Sequence, residues 1–516
     1  MHKRIITVSE KVLNENRFNE VTKRKDTEEK ESWFSQSFRE FCSATALHGY
    51  SYIVRKDISR WERIGWAVIV VAALITSIIL LWVSWEWNAE TKTTTVIEST
   101  HYAVSNVPFP AVSICGMNRI SLEGANRLAE RMKLPDNVTA TELSKMFRLL
   151  LHFEGISKPD PNGYALLNEI LISNNMTVAS VFKEISPNCT NMLERCKWKG
   201  TQTRCDSLFQ TIYTSEGICC SFNYLGLPKS NFPSKLESSN PKYPRRVTAC
   251  GYLTGLTFLA KPFVQDYHSS YLSSMGFRVY IHNSYDYPDD NAETKTVGAK
   301  LEAFISLSPE STYSTPSVYN LPLKDRDCYF PKEGKMNTMS RYSYVNCMAE
   351  CRSNLIYELC GCVPFEFPNN GTLPTCAMDK VECVTEHKQF YSGALPGVNS
   401  TSASREDSPC KCLPDCELYQ YPSEISSGRL NRTFSYNSMN FFKDINLEDQ
   451  SLIHVYFIDL VSTRYRKDVY QNWLGVLASF GGLLGLLLGF SFVTGFELIY
   501  FFTIRPLFDR FGKRKQ

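Results

Sequence analysis

Short alternations of apolar and polar residues fill most of the chain, but two stretches abandon alternation altogether. From Ile64 to Val83 the run IGWAVIVVAALITSIILLWV carries no charge, and at about twenty residues it has the length a helix needs to cross a hydrocarbon core of about 30 Å. The second run, Leu474 to Phe502, extends over about 29 residues and holds one acid, Glu497. Length and lack of charge set both apart from the buried helix of a soluble protein. They predict membrane spans over residues 64–83 and 472–504. The first run follows a long segment rich in Lys, Arg and Glu, which a cleaved signal peptide would lack.

Between the spans the pattern is that of a folded domain. RVTACGYLTGLTFLA and MGFRVYIHNS cluster or alternate β-branched and aromatic residues and predict strands. EGANRLAERMKL and VNCMAECRSNLIYELC have helical spacing. A large mixed α/β domain over residues 84–471 follows.

Charge then orients the chain. Arg55, Lys56, Arg60 and Arg63 precede the first run, and Arg505, Arg510, Lys513, Arg514 and Lys515 follow the second. The positive-inside rule therefore places residues 1–63 and the basic tail 505–516 in the cytoplasm, with 84–471 outside. Trp82, Trp85, Trp87 and Trp473 would anchor the outer interface. Two independent signals agree. The sequons at Asn137, Asn175, Asn188, Asn370, Asn399 and Asn431, candidates for glycosylation, all fall between the runs. Of 18 cysteines only Cys42 lies elsewhere, an enrichment that suits an oxidising compartment. The remaining seventeen are an odd number, so at least one is free or pairs with another subunit.

Disulfide candidates are Cys115 and the crowded set Cys328, Cys347, Cys351, Cys360, Cys362, Cys376, Cys383, Cys410, Cys412 and Cys416, with Cys347 and Cys351 one helical turn apart. Zinc is the competing reading of Cys410, Cys412 and Cys416. Extracellular thiols oxidise, however, and no cluster of histidines accompanies them.

An apolar fraction of 43% and a net charge of +3 give no basic field for nucleic acid. There is no H-E-x-x-H, P-loop or serine elbow, so no catalytic residues are assigned, and neither a metal nor a cofactor is expected. His101, His152, His268, His282, His387 and His454 are scattered and read as structural. The acidic run Asp286, Asp289 and Asp290 reads as a solvated turn rather than a cation or proton site.

The second run carries the chemistry. Gly481, Gly485 and Gly489 recur every four residues, a stripe that lets helix backbones approach closely. Glu497 lies in the run without a basic partner in either span, and an intramembrane carboxylate must face water, a cation or a partner. In a symmetric oligomer it would form an acidic ring that gathers cations, about 12 Å from Gly489 on a straight helix. The run is also too long for one upright helix, at about 43 Å, and must tilt or break. A break at Gly489-Phe490-Ser491 would free carbonyl oxygens that, with the hydroxyl, suit an alkali cation. Before the first run, His48-Gly49 reads on physics alone as a solvated turn or helix end.

LHGYSYI, FPAVSICGMN, the dense cysteine stretch, CLPDC and FGGLLGLLLGFS, in this order, resemble the degenerin/epithelial sodium channel family across nearly the whole chain, and YFIDL and ELIYFFTIR are similar to its insect pickpocket branch. The resemblance implies a homo- or heterotrimer in the plasma membrane, an amiloride-sensitive sodium pore lined by the second spans, and a hand-like outer domain of palm, finger, thumb, knuckle and β-ball. It implies a selectivity filter at Gly489, Phe490 and Ser491, a pore acid at Glu497, and gating roles for His48, Gly49 and Ala478. The only ligand it implies in the pore is the permeant sodium. Acid-sensing members carry acids where this chain has Ser479 and Tyr500, and a Trp that PLKDRDC lacks, so the resemblance leaves the activating stimulus open. Rival readings are an ATP-gated receptor, for which no cluster of basic residues appears, and a twice-anchored adhesion receptor or ectoenzyme, which would need neither Glu497 nor the glycine stripe.

Overall fold

The computed structural model describes residues 33–90, 92–155, 158–226, 243–289, 292–398, 407–431 and 440–512. The candidate glycosylation site Asn399, the acid Asp290 and the tail residues Lys513, Arg514 and Lys515 lie outside them. The chain divides into two compact units, one from its two ends (Met1–Thr94 and Val469–Gln516) and one from Thr95–Asp468.

The terminal unit is helical. A single helix, Arg60–Glu90, contains the first apolar run and continues past Val83 through the tryptophans, because nothing there breaks helical propensity. Among the described residues it is long and apolar enough to cross a membrane by itself. The second run forms two half-helices, Trp473–Leu488 and Phe492–Ile499, bent 69° at the break between them. The second half passes through a π-helical turn, Tyr500–Ile504, into Arg505–Gly512, so the helix does not end where the basic tail begins.

The central unit is mixed α/β. Its five-stranded sheet runs in the order Glu293–Gly298, Gly276–His282, Ala111–Gly116, Gly217–Phe222, Phe209–Thr214. A six-stranded sheet has Leu301–Leu307, Ser451–Phe457 and Leu256–Ala260 at its centre. The apolar core shared by their strands includes Phe109, Val112, Ile114, Phe258, Ile305 and Ile453, all fully buried. LTFLA is buried along its whole length, and its one polar residue, Thr257, bonds His454 at 2.9 Å. A second core, built on Leu143, Phe147, Leu167, Val181 and Ile356, holds the helices together. A further four-stranded sheet pairs Thr93–Ala103 with Val461–Val469 and continues to Glu310–Ser314 and Leu418–Gln420.

Of RVTACGYLTGLTFLA only the last five residues are strand, since Gly251 takes a left-handed φ of 88° and turns the chain. MGFRVYIHNS forms the strand Gly276–His282, and the two helical stretches form Leu122–Arg131 and Tyr344–Cys360.

Eight disulfides staple this unit. The crowded set pairs within itself: Cys328–Cys416, Cys347–Cys412, Cys351–Cys410, Cys360–Cys383 and Cys362–Cys376. Cys115 pairs with Cys219, and two further bonds, Cys189–Cys220 and Cys196–Cys205, join cysteines not singled out above. Cys250 is the odd one left free. The zinc reading falls, because Cys410, Cys412 and Cys416 have no thiolate to offer.

Candidate ion-permeation site

Gly489 makes the break. It sits at φ 68°, ψ 20°, a conformation that costs other residues about 1–2 kcal/mol. Its N–H still bonds the Gly485 carbonyl at 3.0 Å, and the Phe490 N–H folds back to Leu484 at 3.2 Å. Ser491 then starts the second half-helix as its cap: its hydroxyl accepts from the Thr494 N–H, while the Thr494 hydroxyl accepts from the Ser491 N–H, both at 3.3 Å. The carbonyls of Gly489 and Phe490 accept no hydrogen bond among the described residues. Not every carbonyl near the break is free, though: that of Leu488 accepts from the His48 N–H at 2.9 Å.

The His48-Gly49 pair is a turn at a helix end, as its composition suggests, with His48 exposed and Gly49 capping the short helix Tyr50–Val54, and the same turn packs against the break. A Cβ on Gly489 would lie 2.7 Å from the His48 ring, and a Cβ on Gly49, itself at φ 83°, would lie 2.8 Å from Val70 in the first apolar helix. Both glycines are required twice over, by backbone conformation and by space.

Glu497 is half-buried and accepts a hydrogen bond from the Thr45 hydroxyl at 3.0 Å. The straight-helix distance from Gly489 does not hold, because the 69° bend intervenes. No sequence signal pointed to Thr45, which is 452 positions away.

The first half-helix has two unlike faces. Phe480 packs on Trp85 at 6.4 Å, and Leu484 and Leu487 join a cluster with Ala73. Ala478, Gly481 and Gly485 lie on the other face: among the described residues, and apart from the helix's own backbone, no atom comes within 4 Å of a Cβ at Gly481, and only the Phe490 carbonyl does at Gly485, at 3.8 Å. Of the stripe predicted to pack helices, Gly481 and Gly485 are open among the described residues, whereas Gly489 is covered by His48.

The central unit holds two polar arrangements of its own. Arg464 is clasped between Tyr102 and Tyr313, 4.5 and 3.9 Å from their ring centres, and pairs with Glu98 at 3.4 Å; the Tyr313 hydroxyl donates to the same carboxylate at 2.5 Å. These residues stand on Thr93–Ala103, Val461–Val469 and Glu310–Ser314. The first two are the strands by which the chain leaves the first apolar helix and approaches the second.

The other arrangement corrects the solvated-turn reading: Asp286 and Asp289 are buried, only 8% and 5% exposed. Burial, with Asp415 and Asp289 nearby, raises the Asp286 carboxyl to about 7 against the opposing pull of Ser343 and Arg341. Burial likewise raises Asp415 to about 6, although it accepts from the Tyr344 N–H at the start of the helix Tyr344–Cys360. Both acids line a cavity of about 1190 Å³ with Tyr285, Tyr342, Tyr419 and Arg341.

The histidines are engaged structurally. Burial lowers the His282 pKa to about 4, against the upward pull of the Asn283 and Asp286 carbonyls that one ring nitrogen bonds; the other ring nitrogen bonds the Ser113 hydroxyl. His454 bonds Thr257 and Glu302, His152 bonds Tyr164, and His268 bonds the Ser144 carbonyl.

Residues 41–501 match the family described as amiloride-sensitive sodium channel. Pickpocket protein 11 of Drosophila melanogaster is 27% identical over 91% of this chain and 76% of its own length. Sodium channel protein Nach of Drosophila ananassae is 25% identical over 91% and 87%, and the bile acid-sensitive ion channel of Mus musculus 24% over 90% and 87%. The family and these relatives are ion channels, not enzymes, and its channels are oligomers of related subunits. A charge-poor helix, a broken second one and a disulfide-stapled α/β unit are thus accounted for together: the chain belongs to the amiloride-sensitive sodium channel (degenerin/epithelial sodium channel) family.

Proposed function

We propose that the chain is one subunit of a trimeric, stimulus-gated, amiloride-sensitive channel that conducts sodium across the plasma membrane. Both termini are cytoplasmic, residues 64–83 and 472–504 span the bilayer, and the hand-like domain 84–471 is outside. Three copies of the second span surround the pore. Gly489, Phe490 and Ser491 form the filter, Glu497 supplies an acidic ring, and His48, Gly49 and Ala478 take part in gating. The observation that carries this reading is the break itself: an apolar segment interrupted at Gly489, with two carbonyls unbonded among the described residues, is tolerated at membrane depth only where backbone meets water or protein. The open stripe of Ala478, Gly481 and Gly485 supports close approach of a second copy. Gating follows from covalent continuity, since rearrangement of the strands Thr93–Ala103 and Val461–Val469 pulls on both spans.

Whole-cell recording tests it. Cells expressing the chain, with a related subunit or an Ala478→Val change to hold it open, should carry an inward sodium current blocked by amiloride. Gly489→Arg should abolish that current, and its persistence would remove the filter from this position.

A further inference from the structure

We infer that Thr45 is a positioning residue for Glu497, so that the segment before the first span sets how the pore acid presents its charge; this rests on the reading of Glu497 as a pore acid. The Thr45 side chain is buried, and its hydroxyl has one proton to give. The Leu47 N–H donates to the hydroxyl oxygen at 3.4 Å, and the proton is directed to Glu497 Oε2 at 3.0 Å. One carboxylate oxygen is held, and Oε1 accepts no hydrogen bond among the described residues.

The segment carrying Thr45 is itself pinned at three further places. Phe41 packs edge-on against Phe501 at 6.0 Å and tilted against Phe502 at 5.5 Å. Glu40 pairs with Arg505 at 2.7 Å, and the His48 N–H holds the Leu488 carbonyl at the break. These contacts bracket Glu497 on both sides along the chain. The acid is thereby oriented by residues of the same subunit, on a scaffold with little freedom to rotate it away.

Thr45→Val keeps the shape and removes the donor, whereas Thr45→Ser restores it. In full-length channels, Thr45→Val is expected to shift the sodium-to-potassium permeability ratio at least twofold, Thr45→Ser to return it, and Thr45→Val to add nothing in a Glu497→Gln background. Glu497→Gln with an effect but Thr45→Val without one overturns this inference alone. Glu497→Gln without effect overturns the acid ring and this inference with it.

A readout independent of current uses membranes from cells expressing the full chain with Cys42→Ala. Oxidation by copper phenanthroline should join Thr45→Cys to Glu497→Cys within one chain, as seen by non-reducing peptide mapping. Thr45→Cys with Ile499→Cys, two residues on and turned to the opposite side of the helix, should stay unlinked. Equal linkage at both positions, linkage only between subunits, or none at 45–497 overturns the inference even where no variant conducts.

Discussion

Asp286→Asn should stabilise the protein at neutral pH and lose that advantage in acid. The Asp286 carboxyl is buried, faces Asp415 and Asp289, and is raised from 3.8 to about 7, with only Ser343 and Arg341 pulling the other way. A folded-state pKa above the unfolded value means that the folded form binds the proton more tightly. Its contribution is complete below 3.8, declines as pH rises from there to about 7, and is lost above that. The full shift corresponds to about 4 kcal/mol, at about 1.36 kcal/mol per pKa unit. The unit Thr95–Asp468 has an unfolding entropy of about 2.1 cal/mol/K per residue, so this converts to about 5 °C in melting temperature at pH 8 and about 1 °C at pH 4.5. The assay is the apparent melting temperature of detergent-solubilised full-length protein, wild type and variant, across that range at one scan rate. An Asn that gives the same difference at every pH, or that destabilises at pH 8, would refute the claim that the buried charge is the cost.

Gly49→Ala should lower the melting temperature of the same preparation and cut surface expression. It meets both a left-handed backbone, worth about 1–2 kcal/mol, and the Val70 side chain, and an added Val70→Ala should recover only the second part. Cys351→Ser with Cys410→Ser removes one staple of the helix Tyr344–Cys360 and should cost about 2–5 kcal/mol, seen as a lower melting temperature under non-reducing conditions. Asn137, Asn175, Asn188 and Asn431 are exposed, whereas the Asn370 amide donates to the Asn337 carbonyl and its oxygen accepts from Thr372. Glycopeptide mass spectrometry should find Asn137 occupied and Asn370 the least occupied of these, and a bare Asn137 would argue against an extracellular central unit. Arg464→Ala should loosen the joint of Tyr102, Tyr313 and Glu98, and hydrogen exchange should rise in Thr93–Ala103 and Val461–Val469 before it rises in the central sheets.

Properties that depend on neighbours along the chain were readable from the chain. A charge-free stretch is apolar whatever it packs against, and a run too long for one upright helix has to yield somewhere, with Gly489 among the glycines to which a left-handed turn costs least. Helical spacing placed Tyr344–Cys360, and the cysteine count required an unpaired one. Which cysteines join, which one stays free, and what surrounds a polar side chain depend on residues far apart in sequence, and no local pattern encodes them. Asp286 has the composition of a surface turn, yet the chain closes over it. Thr45 carried no signal at all, because its one distinguishing contact is made by a residue near the opposite end of the chain. Length, hydropathy and turn chemistry thus belong to the sequence alone. Burial and partnership are consequences of the tertiary structure, for the physical reason that desolvation and hydrogen bonding act through space rather than along the backbone.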